Sequence, residues 1–481
     1  MKKLSPRFFY LLSFIEGGMM LVTELASAQK IAVFFGSSLY VWLMVLCITM
    51  IGLAIGYYLA SYLLQKYSSS PLQDKLKFLA HLFFLLSIGL AIWKFNNGFA
   101  LMLIQSQTGL IASVLIDGFL LLIIPMFTYG ALTTLLMEVT KNLSDEKSVY
   151  GKILAASTLG SVFLALIAVL WTFPYFGIQG TINGLSILSL CLAFILYAFK
   201  WWIFLIPLIV LLLPAKNIRK NILYQKEGVF SSVLVIDENL TRYLMVNYII
   251  QSFVDVAHQK TLRYAEIIDS IGKIQKWKNK KSLILGMGGG IIANKLAEQQ
   301  VHVTGVEIDP RIITCAQKYF YLNEKIKIIC EDAQWWLQKD TTHYDIIIID
   351  LFNGEAPPSY LFTYENFLQI KKLLKDKNSL IIINWYGYYS GTTGKGTRVL
   401  VHTLAKAGYQ TSLVPTNQTE STSNLLIFAS QEKTALPPNK VLLEPEKIIH
   451  TADNNILNVL NAEMNYKWRR DYLKFIEHWW K

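Results

Sequence analysis

Cysteine is scarce in this chain of 481 residues. The four present, Cys47, Cys191, Cys315 and Cys330, share no paired spacing, which argues against a disulfide framework and against a zinc site. No zinc-ligand spacing, aromatic-basic ribbon or basic helix accompanies the net charge of +12, so nucleic acid is not an expected partner. Loops under the positive-inside rule and surfaces facing anionic lipid account for that charge better. A phosphate-binding loop is also missing. GTTGKGTR at 391–398 is glycine-rich but has the wrong spacing and does not lead from a strand directly into a helix start, so it is assigned to loop or substrate-lid duty. His258 and His343 are isolated and read as surface or structural residues, and no metal site is expected.

What the chain has in excess is apolar residues, at 53%, too many for a soluble enzyme of this length. Residues 1–214 read as a multi-pass membrane domain, with spans near 8–28, 38–64, 78–94, 110–137, 151–172 and 181–199. A further apolar run at 201–214 rises only about 21 Å as a helix, short of a hydrocarbon core of about 30 Å. Six or seven spans are therefore expected. Lys2, Lys3 and Arg7 before the first span and Lys66, Lys75 and Lys77 after the second put the N-terminus in the cytoplasm, and an even span count puts the C-terminal half there too, at the inner (plasma) membrane. The first segment is long, internally polar and runs into further spans, so it is not read as a cleaved signal peptide. Glu16, Glu24 and Asp117 lie in these segments. Carboxylates at membrane depth are candidates for proton or cation passage, or face the bundle interior and bond to neighbouring helices. Gly52 and Gly56 form a Gly-x-x-x-Gly pair suited to close helix packing.

After Pro214 the basic residues Lys216, Arg219 and Lys220 suit a membrane surface, and the texture then changes. Residues 215–260 read as a small β-hairpin domain. Residues 261–440 alternate strands and helices, which implies a mostly parallel sheet covered on both faces, a Rossmann-like α/β domain. Its centre is LILGMGGGIIANKLAEQQVHVTGVEIDP, residues 283–310, a strand, glycine turn, helix, strand and acid. Gly286, Gly288, Gly289 and Gly290 let the backbone approach a ligand, and Glu307, 21 residues after Gly286, is placed to accept hydrogen bonds from a ribose diol. The dinucleotide pattern wants a third glycine where Ile291 stands; Gly-x-Gly-x-Gly fits an adenosyl-sulfonium transferase of class I type better. Asp332 with Ala333 is placed to bracket an adenine, with strand-end capping as the plain alternative for Asp332. Asp350 follows four isoleucines at the reacting end of the same crevice. Residues 441–481 form a tail that turns basic and aromatic, with Trp468, Arg469, Arg470, Tyr472, Trp479 and Trp480; it packs on the domain, makes homodimer contacts or lies on the bilayer.

FGSSLYVW (35–42), GLAIGYYLA (52–60), Phe127 to Leu132 and YGKILAASTLGS (150–161) together resemble the membrane region of membrane-fused spermidine synthase-like proteins. The run from Gly286 through VEIDP, EDAQWWL, YDIIIID and LFTYENF (361–367) resembles the catalytic domain of polyamine aminopropyltransferases. That resemblance implies decarboxylated S-adenosylmethionine as donor, a polyamine such as putrescine or another amine as acceptor, and Asp350 as the base. It assigns Gln251, with Ser252, and Tyr264, with Glu266, to the substrate side. Two departures stand out: Gly289 replaces an aspartate expected to grip the donor's amine, and Asn353 replaces a second carboxylate beyond the base, with Glu355 nearby. Fewer carboxylates select less for a diamine and repel less the carboxylate of intact S-adenosylmethionine, so methyl or aminocarboxypropyl transfer stays open. A transporter or sensor with a non-catalytic nucleoside domain is the reading from a different class.

Overall fold

The computed structural model describes residues 5–36, 39–67, 70–106, 108–143, 148–196, 205–213, 221–228, 231–255, 261–352, 357–420, 423–433 and 436–475. Asn353, Glu355, His258, the basic run at 216–220 and the last two tryptophans lie outside them. The chain divides into two compact units.

The first unit is helical: α1 (Pro6–Phe35), α2 (Leu39–Lys66), α3 (Leu72–Ala91), α4 (Asn96–Gln105), α5 (Leu110–Lys141), α6 (Val149–Ile167), α7 (Phe173–Leu196) and α8 (Leu205–Leu212). Five helices among the described residues are long and apolar enough to cross a membrane, the fifth being the 48-residue run Val149–Leu196. That run is not straight. Gly177 stands at φ +71 within α7, a conformation an α-helix does not use, so the run is two rods that meet there: α6 with the first residues of α7, and the rest of α7. The eight residues of α8 rise about 12 Å, too few to cross upright. Burial is inverted relative to a water-soluble bundle: Leu159, Val162, Phe163 and Leu166 of α6 are exposed, while Ser13, Glu16 and Asp117 are fully buried. Gly52 and Gly56 press α2 onto α5. A Cβ at Gly52 would stand 2.7 Å from that of Met126, and one at Gly56 would strike the Phe127 carbonyl.

The second unit begins with strands β1 (Ile222–Glu227), β2 (Ser232–Glu238), β3 (Thr241–Val246) and β4 (Ile249–Asp255), a four-stranded sheet in that order with two-residue turns at 239–240 and 247–248. There follow α9 (Arg263–Ile274), β5 (Lys281–Leu285), α10 (Ile291–Glu298), β6 (His302–Glu307), α11 (Pro310–Tyr319), β7 (Lys327–Cys330), α12 (Ala333–Lys339) and β8 (Ile346–Ile349). Then come α13 (Tyr364–Leu373), β9 (Leu380–Tyr386), α14 (Lys395–Lys406), β10 (Gln410–Pro415), β11 (Asn424–Ser430) and α15 (Leu457–Phe475). The seven-stranded sheet runs β10-β11-β9-β8-β5-β6-β7. β5 to β9 are parallel, and β11 and β10 close one edge antiparallel.

Successive isoleucines of the central strands serve opposite faces. Ile347, Ile349, Ile381 and Ile383 pack with α12, α13 and α14, whereas Ile346, Ile348, Ile382 and Ile284 pack with α9, α10 and α11. The glycine-rich stretch expected to be a loop is half helix: α14 starts at Lys395 within it, and Arg398 turns back to donate to the Gly391 carbonyl at 2.9 Å. The period-3.6 pattern from Val399 onward draws the glycines into the helix, and Gly396 serves as the close-packing point against Asn461 of α15. The described part of the tail folds onto this unit. Leu457 and Met464 enter the core, and the Tyr472 hydroxyl accepts from the Ile250 backbone at 2.9 Å.

Candidate active site

Strand order reverses at β5: β6 and β7 continue to one side, β8 and β9 to the other. The crevice beyond the carboxyl ends of β5 and β8 is where ligands bind in such sheets. The loop leaving β5 has Gly286 at φ +81, Gly288 at φ +53 and Gly290 at φ +77. Gly286 touches the end of β8 directly, and any side chain there would strike the Asp350 carbonyl. That contact fixes the glycine loop and Asp350 in one frame.

Glu307, at the end of β6, is buried and clamps the loop. Its Oε2 accepts from the Met287 and Gly288 amides at 3.1 and 3.4 Å, and its Oε1 from the Asp309 amide at 3.1 Å. Burial pushes its carboxyl up from the usual range, and the three amides pull it back in part. Each oxygen keeps a second lone pair for a hydroxyl donor. Asp332, after β7, caps α12: its Oδ1 accepts from the Gln334 and Trp335 amides at 2.8 and 3.1 Å, with Ala333 buried beneath. The carboxylate thus caps a helix, where the plain alternative was a strand-end cap, and it also meets the Tyr360 hydroxyl.

Asp350 follows β8. Its Oδ1 accepts from Asn384 Nδ2 at 2.7 Å and its Oδ2 from the Tyr264 hydroxyl at 3.1 Å. Burial pushes this carboxyl up to about 6 against the pull of those two donors. Burial, and then Asp350 itself, drives the Tyr264 phenol well above its ordinary value, so it stays a donor. Asn384 is in turn held by Asn424, whose Nδ2 donates to its Oδ1 at 2.8 Å. Neither asparagine was singled out from the sequence. The signal was present, since Asn384 interrupts the buried apolar run LIIIN of β9.

Gln251 is the extra residue of a β-bulge in β4, where Leu244 pairs with Ser252 and Met245 with Ile250. The bulge delivers Ser252 to the glycine loop: its Oγ accepts from the Gly289 amide at 2.9 Å. A Cβ at Gly289 would stand 2.8 Å from the Ser252 Cβ. The missing aspartate is therefore a matter of space as well as of charge, because Ser252 occupies the room its side chain needs. Glu266 does not join the site; it sits two residues beyond Tyr264 on the exposed face of α9. Glycine loop, Glu307, Asp332 and Asp350 thus belong to the strand-end frame, with Tyr264 brought to it from α9 and Ser252 from β4.

A family profile described as spermine/spermidine synthase domain matches residues 261–436. The chain is 34% identical over 111 residues to a polyamine aminopropyltransferase of Vibrio vulnificus (strain CMCP6), across 22% of this chain and 37% of that protein. It is 35% identical over 133 residues to an N-terminal histidine N-methyltransferase of Emericella nidulans, across 27% of this chain and 23% of the relative. Among solved structures, a probable spermidine synthase from Corynebacterium glutamicum ATCC 13032 superposes with a TM-score of 0.39 at 18% identity, covering 44% of this chain and 81% of that one. Both of these sequence alignments span well under half the length of the relative. Within that span the finding is plain: the C-terminal part of this chain carries a spermidine synthase domain.

Proposed function

We propose that this protein is a membrane-anchored aminopropyltransferase that moves the aminopropyl group of decarboxylated S-adenosylmethionine to an amine such as putrescine. The observation that carries the reading is Asp350, held by Tyr264 and Asn384 at the switch point. With its carboxyl near 6, Asp350 is ionised at neutral pH and ready to take a proton. In this reading Gly286, Gly288, Gly289 and Gly290 cradle the donor, Glu307 holds the ribose diol, and Asp332 with Ala333 reads the adenine. Gln251, Tyr264 and Asn353 line the acceptor side. The acceptor nitrogen forms a bond to the carbon beside the sulfonium, the carbon–sulfur bond breaks to release a neutral thioether, and the nitrogen's proton passes to Asp350. Positioning supplies much of the acceleration, because the sulfonium is already a good leaving group.

The helical unit supports the anchoring. Lys66 at the end of α2, Lys75 and Lys77 near the start of α3, Lys141 at the end of α5 and Lys152 near the start of α6 mark one end of the unit, where Lys75 pairs with Glu138 at 2.8 Å. With α1, α2, α3, α5, α6 and α7 as six spans, that lysine-rich end is the cytoplasmic one, and the transferase domain works in the cytoplasm.

Gly289 favours a second reading. With Ser252 in place of a carboxylate, nothing at that position repels the carboxylate of intact S-adenosylmethionine, which points to methyl or aminocarboxypropyl transfer. Calorimetry on the full-length protein in detergent separates the two. Tighter binding of the decarboxylated donor, together with loss of aminopropyl transfer in Asp350→Ala, supports the first reading. Preference for the intact donor replaces it with the second, and binding of neither donor refutes both.

A further inference from the structure

α1 carries a polar stripe that an anchor does not need. Ser13, Glu16, Thr23, Ser27 and Lys30 fall within about 100° of its circumference and span about 26 Å of its length, close to the hydrocarbon thickness of about 30 Å. None is exposed by more than 9%, because the stripe faces inward. α5 runs antiparallel to it and answers at each level. Thr133 donates to Glu16 Oε1 at 2.9 Å, the Tyr129 hydroxyl meets Thr23 Oγ1 at 3.0 Å, and Asp117 stands at the level of Lys30, whose charge acts on it.

The hydroxyls can be explained as helix-to-helix glue, since Ser13 and Ser161 bond backbone carbonyls of the facing helix. Glu16 cannot, and Asp117 only in part, since the Lys30 charge acts on it. The groups that meet Glu16 are hydroxyls, from Thr133 and from Ser157 at 3.4 Å, and they do not neutralise it. Asp117, wholly buried, accepts from Asn96 on Oδ2 at 3.3 Å, while its Oδ1 has no hydrogen-bond partner among the described residues. An ionisable group at membrane depth costs several kcal/mol, which a purely structural bundle would avoid.

We propose that the α1–α5–α6 interface is a proton route across the membrane, with Asp117 and Glu16 as its two carrier groups. Packing decides what the route carries. Around Glu16 the helices touch backbone to backbone: a Cβ on Gly17 would strike the Ser157 carbonyl, and one on Gly160 the Phe14 carbonyl. That leaves no gap for a polyamine or a hydrated metal ion, whereas a proton needs only carboxyl and hydroxyl groups bridged by single water molecules. Asp117 and Glu16 stand about 21 Å apart along α1, so water molecules entering singly carry the proton from Asp117 past the Thr23–Tyr129 pair to Glu16 and on to the lysine-rich end. Each handover breaks one O–H bond and makes another, with no electron transferred. The route rests on the reading that these helices cross a membrane and is independent of the transferase reaction.

The test uses the full-length protein in phosphatidylethanolamine–phosphatidylglycerol vesicles with a trapped pH dye, a potassium gradient and valinomycin, with neither donor nor amine present. The expected result is interior acidification faster than in empty vesicles, falling about tenfold or more in Glu16→Gln and in Asp117→Asn as each removes a carrier. Cys47→Ser, on an exposed position of α2, should match wild type. Monodispersity and an unfolding temperature like that of wild type show that each variant folds; if one does not, the other still tests the route. Protein that floats with vesicles and resists alkaline extraction yet conducts no faster than empty vesicles overturns the proposal, as do two folded variants that conduct like wild type. Failure to insert overturns the membrane reading and the route with it, leaving the transferase reading intact.

Discussion

Asp350→Asn should make the α/β unit more stable at neutral pH while abolishing turnover. The carboxyl rises from 3.8 to about 6 on folding, because burial outweighs the donors Asn384 and Tyr264. At 1.36 kcal/mol per unit, ionising it in the folded protein costs about 3 kcal/mol, an upper bound because the half-buried side chain keeps some contact with water. A group whose folded pKa is raised contributes stability that is complete below its unfolded value and is lost as pH climbs through the folded one. The loss here therefore runs from about 4 to about 6 and stays constant above. Asparagine never ionises, and its amide keeps both bonds, accepting from Asn384 and donating to the Tyr264 oxygen. Hydrogen exchange of the β5, β8 and β9 amides in the full-length protein in detergent reads this locally. The variant should exchange up to about 100-fold more slowly than wild type at pH 8, and at the same rate below pH 4. Wild-type activity should rise through about pH 6 to a plateau. Equal protection at pH 8, or the same gap at both pH values, would refute the assignment of a strained, ionised Asp350.

Tyr264→Phe removes one of the two donors that hold the carboxylate down, so the rising limb of the pH–rate profile should move to higher pH, with kcat lower by about tenfold. Gly289→Asp should weaken donor binding, because its Cβ meets Ser252, and adding Ser252→Gly should restore it; calorimetry on the single and double variants decides. Asp332→Ala should cost about 1 kcal/mol by uncapping α12 and should also weaken donor binding. Asp332→Ser should recover the thermal stability without the binding, which separates cap from adenine contact.

The spermidine synthase fold was legible because its signals are local. Four consecutive isoleucines, β-branched and too short a run for a helix, read as a strand buried on both faces, and a glycine turn followed at the right distance by an acid marks the β5–α10–β6 unit. Glu307, Asp332 and Asp350 could be placed because strand ends converge in a parallel sheet wherever they lie in sequence. What the sequence did not yield is contact across long separations. Asn384 reaches Asp350 from 34 residues away, and Ser252 reaches Gly289 from 37, through a bulge that no hydrophobic pattern announces. The helix inside the glycine-rich stretch at 391–398 was hidden for a related reason: Gly396 is there for contact with α15, so a local propensity reading sees a helix breaker.

The same reasoning explains why the helical unit was read in part. Glu16, Glu24 and Asp117 stood out singly because charge in an apolar segment is rare, yet Ser13, Thr23 and Ser27 look ordinary in a helix until its buried face is known. Once α5 and α6 are packed on α1, outliers and ordinary residues fall on one line, and Glu16 lies deep inside the bundle, ten residues beyond the start of a 30-residue helix. Glu24 lies at the edge of that line, about 20° beyond Ser13, and is only half-buried, so it should tolerate neutralisation: Glu24→Gln is expected to conduct protons like wild type in the vesicle assay. Loss of flux in Glu24→Gln equal to that in Glu16→Gln would mean that burial on one face of α1 does not define the route, and that any carboxylate in the helix suffices.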